Sequence, residues 1–366
     1  KMVAASAIAA VVTTFIMGTL SDKLDRRKIF ISGGYIIWGF TVAVFAFISR
    51  ENIGKLFNIS DTSKVVAATV CVVIIMDCVM TFFGSTSNDA AFNAWVTDVT
   101  VPENRGTAEA VLALLPVFAT VIVTVAFGVG VEAAGYPACF MFLGALVTIC
   151  GIIGLFSVKD PRKGVKQSTN YFSDLIYGFR PSVIKNNAAL YLCLASACIF
   201  NTAVQVFMPY IFIYVQHYLK FDLNTFQITT PIIIGGAAAV VGLVVVTILL
   251  GKLLDKVGKR IFVFPAVLLF VAGLVAVFFA KTLLTFVLFA LIMILGYGLL
   301  MIILNATVRD YTPEDKVGQF QGVRLLFTVT LPMIIGPKVG SWTISEFSGR
   351  YELGTMLNEY GESTLV

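Results

Sequence analysis

The stretch Gly18-Thr-Leu-Ser-Asp22-Lys23-Leu-Asp25-Arg26-Arg27 (GTLSDKLDRR) follows directly on an apolar run from Met2 to Met17 and crowds five charged side chains together. Hydrophobic residues make up 58% of the 366 and charged residues 13%, against about 25% charged in an ordinary soluble domain. A chain this apolar is built for a bilayer, and the charged stretch marks a place where it leaves the hydrocarbon. Ten apolar runs are long enough to cross as helices, near residues 2–20, 29–49, 65–94, 110–131, 138–158, 188–215, 228–250, 261–280, 283–306 and 322–344, since about 20 residues span a core about 30 Å thick. The third and sixth exceed that length and are expected to tilt or to run on past the membrane surface. Outer-membrane barrels need strands of alternating polarity, and none is present.

Sorting the basic residues sets the sidedness. Lys23, Arg26, Arg27 and Lys28, Arg105, the segment from Lys159 to Lys185, the cluster Lys252 to Arg260, and Arg309, Lys316 and Arg324 hold 18 of the 26 Lys and Arg. All lie between alternate runs, so that side is cytoplasmic. The net charge of +5 follows from this bias and does not indicate nucleic-acid binding. Cys71, Cys78, Cys139, Cys150, Cys193 and Cys198 all fall within apolar runs with no CxxC among them, and read as packing thiols rather than metal ligands or disulfides.

The opening stretch occurs twice. Gly18, Leu20, Asp22, Lys23 and Arg27 align with Gly251, Leu253, Asp255, Lys256 and Arg260, 233 positions later. A second pair follows two runs after each copy, where Asp98-Val-Thr-Val-Pro-Glu-Asn-Arg105-Gly106 matches Asp310-Tyr-Thr-Pro-Glu-Asp-Lys316-Val-Gly318 with one gap. The chain therefore reads as two homologous halves, residues 1–158 and 188–366, joined by a cytoplasmic linker, 159–187, too short to be a domain. Parallel repeats of this kind form a known transporter architecture with the substrate site between the halves.

The G-x-L-x-D-K/R-x-x-R/K-R stretch and its weaker copy resemble the signature loop of the major facilitator superfamily. "AWVTDVTVPENRG" (94–106) and "VRDYTPEDKVGQFQGVR" (308–324) are similar to cytoplasmic segments of bacterial sugar-transporter-like members, near the glycoside-pentoside-hexuronide cation symporters. The chain departs from those symporters in its first run, "MVAASAIAAVVTTFIMG", which lacks the aspartates they carry in the corresponding helix. The resemblance implies an all-α, polytopic membrane helix bundle of two six-helix halves, of which about ten helices are present, with the first and the last lacking. It implies a multi-pass protein of the cell membrane, a bacterial inner membrane, acting as a monomer.

A basic loop of this kind is either a topology signal alone or a gate. Gly18 permits close helix approach, and Asp22 at the cytoplasmic mouth can face a helix N-terminus, whose exposed amides favour an anion. The resemblance implies that this N-terminus belongs to the last run, starting near Gln319 to Gly322, and that Arg26 holds Asp22 in place. Gly18, Asp22, Arg26, Arg27 and their mates Gly251, Asp255, Lys259 and Arg260 are the gate candidates, with Asp98, Arg105 and Asp310 from the second pair. Asp25 is unusual, because similar loops carry glycine there, as Gly258 does in the second copy; the added acid either loosens the latch or recruits Arg27. Glu109 and Arg324 are candidates for pairing between the halves.

Ionisable groups within a span are functional candidates by default. In the third run Asp77, Thr81, Gly84, Ser85 and Asn88 share one helical stripe, and Asp89 and Asn93 form a second beside it. A buried carboxylate must be paired, protonated or coupled to a cation; the small residues equally serve close packing. Asn201 and Gln205 stand at i,i+4 with Pro209 one turn on, where a proline permits a bend. Such amides suit sugar hydroxyls or interhelical bonding. Asn305, Tyr210, Tyr214 and Trp38 are weaker candidates. Lys338, inside Gly336-xxx-Gly340, either snorkels outward or lines a cavity and meets an anion. His217, the only histidine, reads as interfacial.

These residues point to a secondary active transporter moving a small polar, sugar-like solute by alternating access, coupled to H+ or Na+. The alternative is a proton-driven exporter of hydrophobic compounds on the same fold. An enzyme has little support: HExxH, GxSxG and GxxxxGK[ST] are all lacking, so no catalytic residues, metal or cofactor are expected.

Overall fold

The structure, a computed structural model, describes residues 2–59, 61–128, 130–160, 177–215, 219, 230–347, 355–357 and 363–365. Among them are ten long helices: α1 Met2–Leu24, α2 Ile29–Phe47, α3 Thr62–Val99, α4 Arg105–Gly128, α5 Gly130–Ser157, α6 Ala188–Tyr210, α7 Thr230–Val257, α8 Lys259–Phe278, α9 Leu283–Tyr311 and α10 Glu314–Phe347. They coincide with the ten apolar runs, because hydrocarbon offers the backbone no partner and each N–H must bond within its own helix. Seven are long and apolar enough to cross a membrane by length and composition alone. The polar tail adds only a two-stranded antiparallel ribbon, in which Thr355 lies opposite Leu365. Most of the linker, with Arg162, Lys163 and Lys166, and also Gln216 and His217, lie outside the described residues.

Several helices run on past their apolar runs into the charged stretches. α1 continues through the charged stretch to Leu24 and stops at Asp25, whose φ is 49°. α7 likewise continues to Val257 and stops at Gly258, with φ 102°. A left-handed residue just past a helix ends it and turns the chain. Glycine enters that region freely, whereas aspartate is among the few L-residues that visit it at moderate cost. The acid at position 25 is thus a helix terminator in the slot that its copy fills with glycine. Its N–H donates to the Asp22 carbonyl (3.2 Å), and its carboxylate is not among the described partners of Arg27, which are Ser21, Asp22 and Asp98.

By contacts the chain divides into two compact units. The first comprises Lys1–Val101, Leu114–Tyr191 and Val308–Leu326; the second comprises Pro102–Ala113, Leu192–Thr307 and Phe327–Val366. In the first unit α2 lies along α5, with Gly39 against the Gly144 backbone and Thr148 and Phe45 stacked on Phe140 at 5.8 Å. The second unit is centred on Leu254, Ala266, Phe270 and Ile302, all buried, with Phe200 and Tyr297 packed against them. In both, large apolar side chains also face outward: Phe156 is 83% exposed, Phe264 74% and Ile199 72%. Water would make such faces association sites, whereas lipid tails accept them without penalty.

Asp25→Gly is expected to raise the thermal unfolding midpoint of the detergent-solubilised protein, by up to about 1 kcal/mol of stability, and Asp25→Val to lower it by about 1–2 kcal/mol. Equal midpoints for the two variants would contradict the helix-terminator role.

Candidate functional site

The first charged stretch builds a compact polar cluster inside the first unit. Asp22 accepts hydrogen bonds from the backbone N–H of Gly318 (3.0 Å) and Gln319 (2.9 Å). These are free first-turn donors of α10, whose α-helical part starts at Val317, and a carboxylate there satisfies them and meets the positive end of the helix dipole. The expected contact with the last run is present, slightly earlier in sequence than Gln319 to Gly322. Gly18 makes it possible, because a Cβ on Gly18 would strike the Gly318 carbonyl and one on Gly318 would strike Gly18.

The residue that holds Asp22 is Arg27, not Arg26. Arg27 is 4% exposed; its guanidinium bonds the Asp22 carboxylate and the Ser21 hydroxyl, and its Nε reaches Asp98 Oδ2 at 3.1 Å. Arg26 is exposed, because the turn at Asp25 sends residue 26 outward and brings residue 27 back over α1. Burial alone acts to lower the Arg27 pKa, but the carboxylates of Asp22 and Asp98 outweigh it and hold the guanidinium above its ordinary value. Asp98 thus takes its place in the cluster, joining the two sequence motifs of the first half.

The second copy repeats the cap but not the arginine. Asp255 accepts from the backbone N–H of Gly106 and of Thr107, each at 2.8 Å, and from the Thr107 hydroxyl at 2.6 Å. It thereby caps α4 in the second unit, with Gly251 packed on Ala110 and the Gly106 backbone. Gly106 and Thr107 are the repeat mates of Gly318 and Gln319. Arg260, the mate of Arg27, is exposed, so its candidacy as a gate residue finds no counterpart to the Asp22–Arg27–Asp98 relay. Arg105 and Glu109 are buried on the first turns of α4, while Lys259 and Asp310 are half-buried.

The polar stripes of α3 are rearranged by a local change of helix. Ser85–Phe92 is π-helical, and the wider turn shifts the register, so that the two separate stripes expected for a regular helix merge. Asn88 donates from Nδ2 to Asp89 Oδ1 (3.1 Å), accepts from the Tyr35 hydroxyl (3.1 Å), and its carbonyl accepts from Asn93 Nδ2 (3.1 Å). The Trp38 ring lies beside Gly84, 5.4 Å from the Tyr35 ring. Asp77 stays apart from this group, half-buried two turns away, and no described side chain hydrogen-bonds to it.

Arg309, which sequence reasoning counted only as a topology charge, is 1% exposed and clamps α3. Its Nη1 donates to the Asn93 carbonyl (2.6 Å) and Thr97 Oγ1 (2.7 Å), and its Nη2 to Asn93 Oδ1 (3.0 Å). Arg324 reaches the same Asn93 Oδ1 at 3.4 Å. The linker is pinned at both described ends. Asp160 accepts from the Lys28 N–H and Trp95 donates to the Lys159 carbonyl; Tyr191 donates to the Gly178 carbonyl.

In the second unit Asn201 Nδ2 is used by the Ala197 carbonyl of its own helix (2.8 Å), and half-buried Gln205 packs against Gly336. Pro209 falls in a 3-10 turn, Met208–Tyr210, that closes α6 after its α-helical part ends at Phe207. Tyr214 donates to the Val277 and Ala280 carbonyls and so anchors the end of α8. Asn305 is half-buried, and Lys338 is exposed on the face of α10 turned away from Gly336 and Gly340. No cluster able to hold a metal occurs among the described residues.

The sequence profile of the Major Facilitator Superfamily matches residues 2–337. The chain belongs to this superfamily. Major Facilitator proteins are also its structural neighbours. The proton:xylose symporter XylE, solved bound to 6-bromo-6-deoxy-D-glucose, superposes with a TM-score of 0.66 at 13% identity, covering 94% of this chain and 80% of that one. The human organic anion transporter MFSD10 (TETRAN) gives 0.57 at 14% identity, covering 93% and 77%. No curated protein sequence is similar enough to match. At such identities the neighbours establish the Major Facilitator fold and nothing about cargo. Membership makes the protein a multi-pass membrane transporter rather than an enzyme.

Arg27→Ala leaves Asp22 and Asp98 buried without their counter-charge and is expected to cost about 3–5 kcal/mol, whereas Arg26→Ala should fall within about 0.5 kcal/mol of wild type. Thermal unfolding of the purified variants distinguishes the two; equal losses would refute the assignment of Arg27.

Proposed function

We propose that this Major Facilitator transporter is a secondary active carrier that moves a small polar, sugar-like solute by alternating access, coupled to H+ or Na+. The observation that carries the reading is the Tyr35–Asn88–Asp89 chain, which joins α2 to α3. A hydroxyl, an amide and a carboxylate in sequence offer both donors and acceptors to a polyhydroxylated ligand. The carboxylate within a membrane span is costly while charged, and binding a proton or sodium ion removes that cost, which links cation uptake to the state of the site. Asp77, Asn201, Gln205, Asn305 and Lys338 remain further candidates for contact with substrate or cation. The fold likeness to a proton:xylose symporter is consistent with this reading.

In the same proposal the Asp22 and Asp255 caps are the cytoplasmic latches. Each ties a helix of one sequence half to a helix start of the other through hydrogen bonds that are strong when made and simple to exchange for water when broken. Arg27 holds the Asp22 carboxylate aimed at α10.

Counterflow of a panel of labelled sugars in vesicles carrying the full-length protein, with and without sodium, tests the substrate class. Exchange of at least one sugar is expected, reduced by Asp89→Asn. No exchange of any sugar, together with proton-dependent efflux of hydrophobic compounds, would favour the exporter instead. Asp22→Asn is expected to abolish uptake while membrane expression is retained, and wild-type uptake by that variant would sink the latch role.

A further inference from the structure

The segments around the two second-motif aspartates are more alike than the motifs alone indicate. Asn93-Ala-Trp-Val-Thr97-Asp98-Val-Thr100 on α3 and Asn305-Ala-Thr-Val-Arg309-Asp310-Tyr-Thr312 on α9 share Asn, Ala, Val, Asp and Thr in register. Ala94 and Ala306 are both fully buried. The two segments are repeat mates, and they differ at a position where the structure makes a contact: Thr97 in one, Arg309 in the other. Arg309 reaches across to its own mate, donating to Thr97 Oγ1, and takes both the carbonyl and the side-chain oxygen of Asn93.

We infer that Arg309 is a positioning residue for the transport cycle, a third cytoplasmic latch that ties the end of α9 to α3 and has no equivalent in the first half. This rests on the alternating-access reading above. A guanidinium presents a planar fork that lysine cannot reproduce, and three hydrogen bonds from a buried charge hold strongly only while all acceptors stay in place. The acceptors it finds on α3, the Asn93 carbonyl and side-chain oxygen and the Thr97 hydroxyl, are neutral groups. Arg309 also lies one residue before Asp310 and within the last turn of α9, where a cation is favoured by the helix dipole. Asn93 connects the latch to the candidate site, since its Nδ2 bonds the Asn88 carbonyl next to Asp89. Movement of α9 away from α3 therefore pulls on the helix turn that carries the proposed cation-binding carboxylate.

Hydrogen–deuterium exchange of the full-length protein in lipid nanodiscs tests this without knowledge of the substrate, comparing wild type with Arg309→Gln, Arg309→Lys and Thr97→Val. The latch predicts that amides of residues 93–99 and 305–311 exchange about ten-fold faster in Arg309→Gln, with smaller increases in the other two, the loss of a charged hydrogen bond being the cause. It also predicts that the outer half of α3, residues 62–76, exchanges no faster and, under alternating access, more slowly. Faster exchange at both ends would reduce Arg309 to a structural residue and overturn the proposal. Unchanged exchange at the cytoplasmic end would overturn it while leaving alternating access intact. Faster cytoplasmic exchange with an unaltered outer half would keep the latch and count against alternating access. If Arg309→Gln fails to fold, Arg309→Lys and Thr97→Val carry the same test.

Discussion

Two carboxylates complete helices to which they do not belong. Asp22 supplies acceptors for the first free amides of α10, and Asp255 does the same for α4. A helix start leaves N–H groups unsatisfied, and next to a membrane few other partners are at hand. The capped segments accordingly fall into the compact unit of the residue that caps them: Val308–Leu326 with the first half, Pro102–Ala113 with the second. Glycine pairs on both sides of each cap let the backbones approach closely enough for a short aspartate side chain to bridge them.

Around these caps the halves are not equal. In the first, Arg27 is buried between two carboxylates, so its guanidinium is paired within the protein. In the second, Arg260 is exposed and Asp255 is satisfied by neutral donors, two amides and a threonine hydroxyl. Arg309 adds a clamp of its own on Asn93 and Thr97. The repeat therefore preserves backbone capping and diverges in its side-chain ties. Neutral and charged hydrogen bonds differ about two-fold in strength, so such divergence is a means by which a symmetric fold acquires ties of unequal strength.

The apolar spans and the internal repeat were legible in the residues because each depends on a one-dimensional property: run length and spacing. The partner of Asp22 was legible through the resemblance. That Asp255 caps α4 was also within reach, since the repeat maps Gly318 and Gln319 onto Gly106 and Thr107. Other features were not. Arg26 and Arg27 are adjacent and chemically identical, and only the left-handed turn at Asp25 determines which one returns to the cluster. The stripes drawn through Asp77, Asn88, Asp89 and Asn93 assumed 3.6 residues per turn, and the π-helical turn at Ser85–Phe92 broke that assumption. Tyr214 proved to be an anchor for α8, and the importance of Arg309 depends on contacts 212 and 216 residues away in sequence.

By itself, then, the sequence determined that this is a multi-pass membrane helix bundle with an internal repeat, because hydrocarbon imposes helix length and backbone bonding on any chain that crosses it. Only the tertiary structure decided which arginine is buried, which polar residues of α3 meet, and that Arg309 clamps its own repeat mate. Those outcomes turn on where one residue takes a positive φ and where one helix widens, and on side chains distant in sequence that share a few ångströms of space.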